Sequence, residues 1–307
     1  MRNRPSGPFS GLAGRLEAAL AAGLGKIPLP WRGVVVFAGI ALFVTVSLWA
    51  SLLVVRLVLS AQGDLAIGSR AVQTAAPLFG RAAGVTLLLT GVAGAAGLVL
   101  GVLAGAARSS AFLPARALAA FYVWFIRGTP LLVQILFAAA VVPAIIPPAP
   151  ELPWAWLNDA LRWMRRDPFF PAVTALALNV GAYNAEAVRA GLIAVPRGQR
   201  EAARSLGLNP RQTLFLVVIP QAVPVMIPPL VNNLVALLKD SSLAAILSIE
   251  EVTLTGQRTS ARTFRPLEIW PAVAFTYLVQ TTVLTLFTNW LERVMARRGD
   301  RSLAGRR

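Results

Sequence analysis

Eight polar residues stand within or at the ends of long apolar stretches of this sequence: Arg127, Asn184, Glu186, Arg189, Asn232, Asn233, Lys239 and Asp240. Thr129 follows two residues after Arg127. Ionisable side chains at bilayer depth are costly, so they mark a ligand path or a pair that neutralises itself. Cations and anions occur together, a mixture that suits a zwitterion. A plainer use stays open for each. Glu186 and Arg189 are three apart on a helix and can pair with each other. Arg127 can snorkel or stabilise a kink at Gly128-Thr129-Pro130. Asn232 and Asn233 can join helices by hydrogen bonds. Lys239 and Asp240 can brace the short segment after them.

Catalysis has few means here. The sequence has no His and no Cys. That removes the usual general base, zinc sites built on either residue, disulfides and iron–sulfur ligation. No GxxxxGK[ST] phosphate loop is present. The expectation is no catalytic residue, no metal and no cofactor.

The elements that must hold the polar residues are membrane helices. Of 307 residues, 56% are hydrophobic and 14% charged, and the mean hydropathy is +0.66. Soluble domains carry about a quarter charged residues, so a bilayer is the solvent implied. A span needs about 20 mostly apolar residues. Six stretches qualify: 33–55, 82–107, 117–142, 169–190, one within 212–238, and 269–291. The third passes through Arg127 as one span. The run 241–249 is too short to cross and predicts a short or re-entrant helix covered by protein. Pro228-Pro229 predicts a break in the fifth span that frees carbonyls near Asn232. Gly97, Gly101 and Gly105 fall on one stripe and predict close helix packing. Trp154 to Met164 predicts a helix lying at the outer interface, a plain aromatic anchor or a docking surface for an outer binding protein.

Topology follows from the basic residues. The net charge is +16, and Arg and Lys cluster before the first span, between spans two and three, between four and five, and after six. With six spans these segments share one side, which the positive-inside rule makes cytoplasmic. Both termini are therefore expected inside. Lys239, Arg258, Arg262 and Arg265 fall on the outer side against that rule. The charge points to membrane lipid as partner rather than nucleic acid.

The inner segment 190–220 predicts a structured hook. Pro196 suits an early helical position. The run from Arg197 to Leu206 forms a helix, and Gly207 can close it in a left-handed cap. Asn209-Pro210 starts a new turn that re-enters helix. Ala202, Ala203 and Leu206 make a small apolar stripe with charges at its rim. Such a helix fits a partner's cleft, and equally a plain surface helix.

These residues carry a resemblance. Glu201-Ala202-Ala203, Gly207 and Val217-Val218-Ile219-Pro220 resemble the EAA loop of type I ABC importer permeases. Val217 and Ile219 stand where that loop usually has Ile and Leu. Tyr122 to Gln134 looks like a signature of the polar amino acid permeases. Gly181 to Glu186, Val195 to Gln199, Pro228 to Asn232 and Leu238 to Leu243 match the same family in order. The resemblance covers roughly 84–292.

The resemblance implies an all-α, multi-pass transmembrane bundle of about six spans, a five-span core plus one N-terminal helix. Its division would be a basic cytoplasmic segment 1–32, an extra helix 33–57, a permease domain 80–295 with coupling loop 190–220, and a basic tail 296–307. It implies a bacterial inner-membrane subunit of an ATP-driven importer of polar amino acids. Partners would be a cytoplasmic ATPase dimer, an extracytoplasmic solute-binding protein and a second permease subunit. Pro196, Arg197, Gly198, Gln199, Glu201, Ala202, Ala203, Gly207 and Pro220 would couple to the ATPase. Arg127, Thr129, Asn184, Glu186, Asn232, Asn233, Lys239 and Asp240 would line the substrate path. A secondary transporter would need internal repeats and coupling-ion ligands. A membrane-anchored interaction protein would not need so many polar residues within spans.

Overall fold

A computed structural model describes residues 70–146 and 154–304, with side chains over 77–146 and 154–286. The expected span 33–55 and the segment 1–32 lie outside the described residues. The described elements are helices: α1 (Arg70–Arg108), α2 (Leu113–Gly128), α3 (Leu131–Ile145), α4 (Ala155–Arg166), α5 (Phe169–Ala194), α6 (Arg197–Ser205), α7 (Pro210–Thr213), α8 (Ile219–Asp240), α9 (Val252–Thr263) and α10 (Pro266–Ala304). A π-turn, Leu214–Val218, precedes α8, and a 3-10 helix, Ser241–Leu247, follows it.

Among the described residues three helices are long and apolar enough to cross a bilayer: Pro77–Arg108, Pro210–Leu247 and Pro266–Leu286. The pair α2 and α3 makes a fourth if taken as one broken span. Helix α5 is not among them, because Asn179, Asn184, Glu186 and Arg189 dilute its apolar run. It lies instead at the centre, packed on α1, α2, α3 and α8. Fourteen of its 26 residues are buried, which is why it can carry polar groups away from lipid.

Two expectations need correction. The third span, expected as one stretch with a kink left open at Gly128-Thr129-Pro130, is two helices. It bends by 112° between α2 and α3. Pro130 lacks an N–H and forces the preceding residue out of helical geometry, so Thr129 is extended with φ −116° and ψ 144°. The fifth span, by contrast, is not broken at Pro228-Pro229. Helix α8 runs through Pro224, Pro228 and Pro229 without interruption. The irregular backbone sits earlier. Pro220 cannot donate to the carbonyl four residues back, and Ile219 bonds instead to the Leu214 carbonyl across the π-turn.

The glycine stripe packs as the sequence predicts. A Cβ added at Gly97 would stand 2.3 Å from Val180 Cγ1, and one at Gly101 2.3 Å from Asn184 Cβ. One at Gly105 would stand 2.7 Å from the Ala185 carbonyl oxygen. Helices α1 and α5 therefore touch backbone to backbone along this stripe. The 241–249 segment is short, as expected, and partly covered: Ser241, Ala244 and Ile249 are buried, while Ile246 and Ser248 are exposed.

Candidate functional site

The hook is built by local sequence. Pro196 stands at the N-cap of α6 rather than within the helix, and its carbonyl accepts from the Gln199 N–H at 3.1 Å. At the other end Gly207 has φ +80°. The Gly207 N–H bonds the Arg204 carbonyl at 2.9 Å and the Leu208 N–H bonds the Ala203 carbonyl at 3.1 Å. This is the paired Schellman arrangement, which needs a left-handed residue. Asn209 and Gln212 then cap α7 reciprocally, each side chain bonded to the other's backbone N–H at 2.9 Å. The hook is thus capped at its joints rather than loose.

The expected stripe of Ala202, Ala203 and Leu206 does not hold together. Ala203 is buried, Ala202 is exposed, and Leu206 is 82% exposed. The pitch of so short a helix turns Ala203 inward while its neighbours face out. The exposed surface comprises Arg197, Gly198, Gln199, Glu201, Ala202, Arg204, Ser205 and Leu206. Arg200 does not join it: its Nη2 donates to the Leu192 carbonyl at 2.5 Å. Pro220 is exposed at the start of α8.

The polar residues of the bundle fall into three groups. In the first, the Asn233 Nδ2 donates to Asn184 Oδ1 at 3.0 Å, and the Asn184 Nδ2 reaches the Gly97 carbonyl at 3.4 Å. Helices α1, α5 and α8 meet there. In the second, Glu186 pairs with Arg108 of α1 and with Arg189, whose Nη2 lies 2.5 Å from Oε1. The pairing of Glu186 with Arg189 that the sequence left open is present, and Arg108 is an addition.

The third group holds the bend. The Gln134 Nε2 donates to the Ile126 carbonyl at 2.7 Å, the Thr129 carbonyl at 3.0 Å and Thr129 Oγ1 at 2.8 Å. Its Oε1 accepts from Asn179 Nδ2 at 3.0 Å. One amide therefore clamps both sides of the knee to the central helix. Arg127 lies beside it, exposed, with its guanidinium carbon 5.1 Å from the Tyr183 ring centre. Asn232 and Lys239 are exposed and Asp240 is half-buried. These three are not drawn into any of the groups.

Sequence reasoning gave no role to Gln134 or Asn179, and counted Arg108 only among the basic residues between spans two and three. Gln134 lay within a recognised motif, yet its partners are set by the bend. It also missed Glu251, which is fully buried. That carboxylate caps α9 by accepting from the Thr253 and Leu254 N–H groups at 2.8 Å, and takes the Tyr277 hydroxyl at 2.6 Å. Among the described residues no group of His, Cys, Asp and Glu could hold a metal ion. The arrangement offers fixed hydrogen bonds between helices and a capped hook at one end.

Comparison with known proteins gives a consistent result. Residues 97–300 match the family described as binding-protein-dependent transport system inner membrane component. The glutamine transport system permease protein of Escherichia coli (strain K12) is 38% identical over 225 residues, 73% of this chain and 96% of that one. The L-cystine transport system permease protein of Bacillus subtilis (strain 168) is 38% identical over 202 residues, 66% of this chain and 79% of that one. A solved amino acid ABC transporter with histidines superposes with a TM-score of 0.60 at 33% identity, over 71% of this chain and 94% of that one.

Proposed function

The chain belongs to the inner-membrane components of binding-protein-dependent transport systems, and from that membership we propose that it is the permease subunit of an ATP-driven importer of polar amino acids. The capped hook carries this reading. It presents Glu201 and Ala202 outward at one end of the bundle, and α5, directly before it, carries the buried amides and the ion group. A rigid hook can pass a partner's displacement to the helix that holds the path together. Transport is then a shift between inward-open and outward-open states, driven by differential partner contacts.

Pro196, Arg197, Gly198, Gln199, Glu201, Ala202, Ala203, Gly207 and Pro220 form the coupling element in this reading. A cytoplasmic ATPase dimer docks on it and hydrolyses the ATP. A solute-binding protein delivers the amino acid from outside, and a second permease completes the pore. Arg127, Thr129, Asn184, Glu186, Asn232, Asn233, Lys239 and Asp240 belong to the substrate path. Glu186, tied to two arginines, serves it as a structural pivot. The domain is 80–295 with coupling loop 190–220, 33–57 is an added span, and 1–32 and 296–307 are cytoplasmic.

The test is reconstitution with the neighbouring ATPase and binding protein. ATP-dependent amino acid uptake is expected, and Gly207→Val should lower it at least tenfold. Unchanged uptake in that variant would remove the coupling role. Topology is separately accessible because the chain has no native Cys. Arg204→Cys should react with an impermeant maleimide only after the membrane is opened.

A further inference from the structure

Building on the permease reading, we propose that Arg200 is a positioning residue that locks α6 to the inner end of α5, so that the two move as one body. The backbone joining them is only Val195 and Pro196, both extended, with ψ 118° and 142°. Two extended residues fix the distance between helices and leave their angle free. Contacts away from the joint must set that angle: α6 rests on the 214–218 turn and α7, and a directional side-chain contact to α5 completes the set.

Arg200 is placed to do so. Residues Arg197, Gly198, Gln199, Glu201, Ala202, Arg204 and Ser205 of α6 are exposed, and only Arg200 and Ala203 turn inward. Ala203 offers one methyl group, which packs but holds no direction. Arg200 spans back to the Leu192 carbonyl, with Nη2 at 2.5 Å. Leu192 lies in the last turn of α5, where the final carbonyls have no helical N–H to accept. The same end carries the negative pole of the helix dipole, which favours a cation. The Arg200 Nε is buried without a partner, so the stem of the side chain is enclosed as well.

Beyond the contact, α5 is fastened to α1 through the Gly97, Gly101 and Gly105 stripe and the Glu186–Arg108 pair. A displacement at α6 thus reaches the centre of the bundle without slack. Cutting the Arg200 contact should leave the hook docked on the ATPase and waste its motion.

The experiment compares Arg200→Gln and Arg200→Lys with wild type in the reconstituted complex of permease, ATPase and binding protein. Phosphate release and uptake from a mixture of radiolabelled amino acids are measured together. For Arg200→Gln, amino acid moved per ATP should fall at least fivefold while hydrolysis stays within twofold. Arg200→Lys keeps the charge on a side chain one atom shorter than the Nη2 that reaches Leu192, and should fall about threefold. It also serves if the Gln variant does not assemble. Equal loss of hydrolysis and uptake, or a wild-type ratio in the Lys variant, overturns the proposal. Absence of uptake by the wild-type complex overturns the permease reading and this one with it.

Discussion

The Asn233 side chain of α8 donates to the Asn184 side chain of α5 at 3.0 Å, and Asn184 in turn reaches the Gly97 carbonyl of α1. One asparagine pair therefore sits where three helices converge. Interhelical polar pairs in lipid couple by about 0.6 kcal/mol on average. A double-mutant cycle of Asn184→Leu and Asn233→Leu should give a coupling of that size in thermal unfolding of the purified protein. Strict additivity would show that the bond contributes nothing.

The α1–α5 contact should be intolerant of bulk. Gly101→Val would place a Cβ 2.3 Å from Asn184 Cβ and 3.1 Å from the Asn184 backbone carbon. Overpacking of this kind costs about 1–3 kcal/mol. Gly128→Ala meets nothing within 4 Å and should stay within about 0.5 kcal/mol of wild type. Unfolding temperatures in detergent would compare the two, and equal values would contradict the packing described.

Gly207 acts through its backbone, because an added Cβ there meets nothing within 4 Å. Its φ of +80° costs an ordinary L-residue about 1–2 kcal/mol. Gly207→Asn, tolerant of that conformation, should retain most transport. Gly207→Val, which is β-branched, should lose most of it at equal membrane abundance. A reversed order would mean that space, not backbone geometry, is what the position requires.

Glu186 pairs with two arginines at once, each pair partly exposed. Glu186→Gln should destabilise the bundle by about 1–3 kcal/mol, since both guanidinium groups lose their charged acceptor. Adding Arg108→Gln should recover part of that loss. Further loss in the double variant, seen by thermal unfolding, would disprove the shared ion group.

How much of this was legible beforehand differs by residue. The helices were legible because a bilayer demands long apolar runs, and the low charged fraction already pointed to a bilayer as solvent. The hook was legible because Pro196, Gly207 and Asn209 are local signals, each acting on backbone within a few residues. The glycine stripe was legible because helical pitch alone aligns Gly97, Gly101 and Gly105. The 112° knee was legible only as a kink left open at Gly128-Thr129-Pro130, since apolarity continues through Thr129-Pro130 while the backbone turns. Pro228-Pro229 misled in the opposite sense, because α8 continues through both residues.

The all-helical membrane character, the capped hook and the small-residue seam depend on near neighbours or on solvent, so the order of residues is enough to set them. Which polar groups are committed to one another is set by the packing of the bundle. Arg108 and Glu186 are 78 positions apart, and Gln134 and Asn179 are 45 apart. No local pattern links them. In a low-dielectric interior a polar side chain must take whatever partner the packing brings within reach. That partner is chosen by helix crossing and register, which exist only once the bundle has formed.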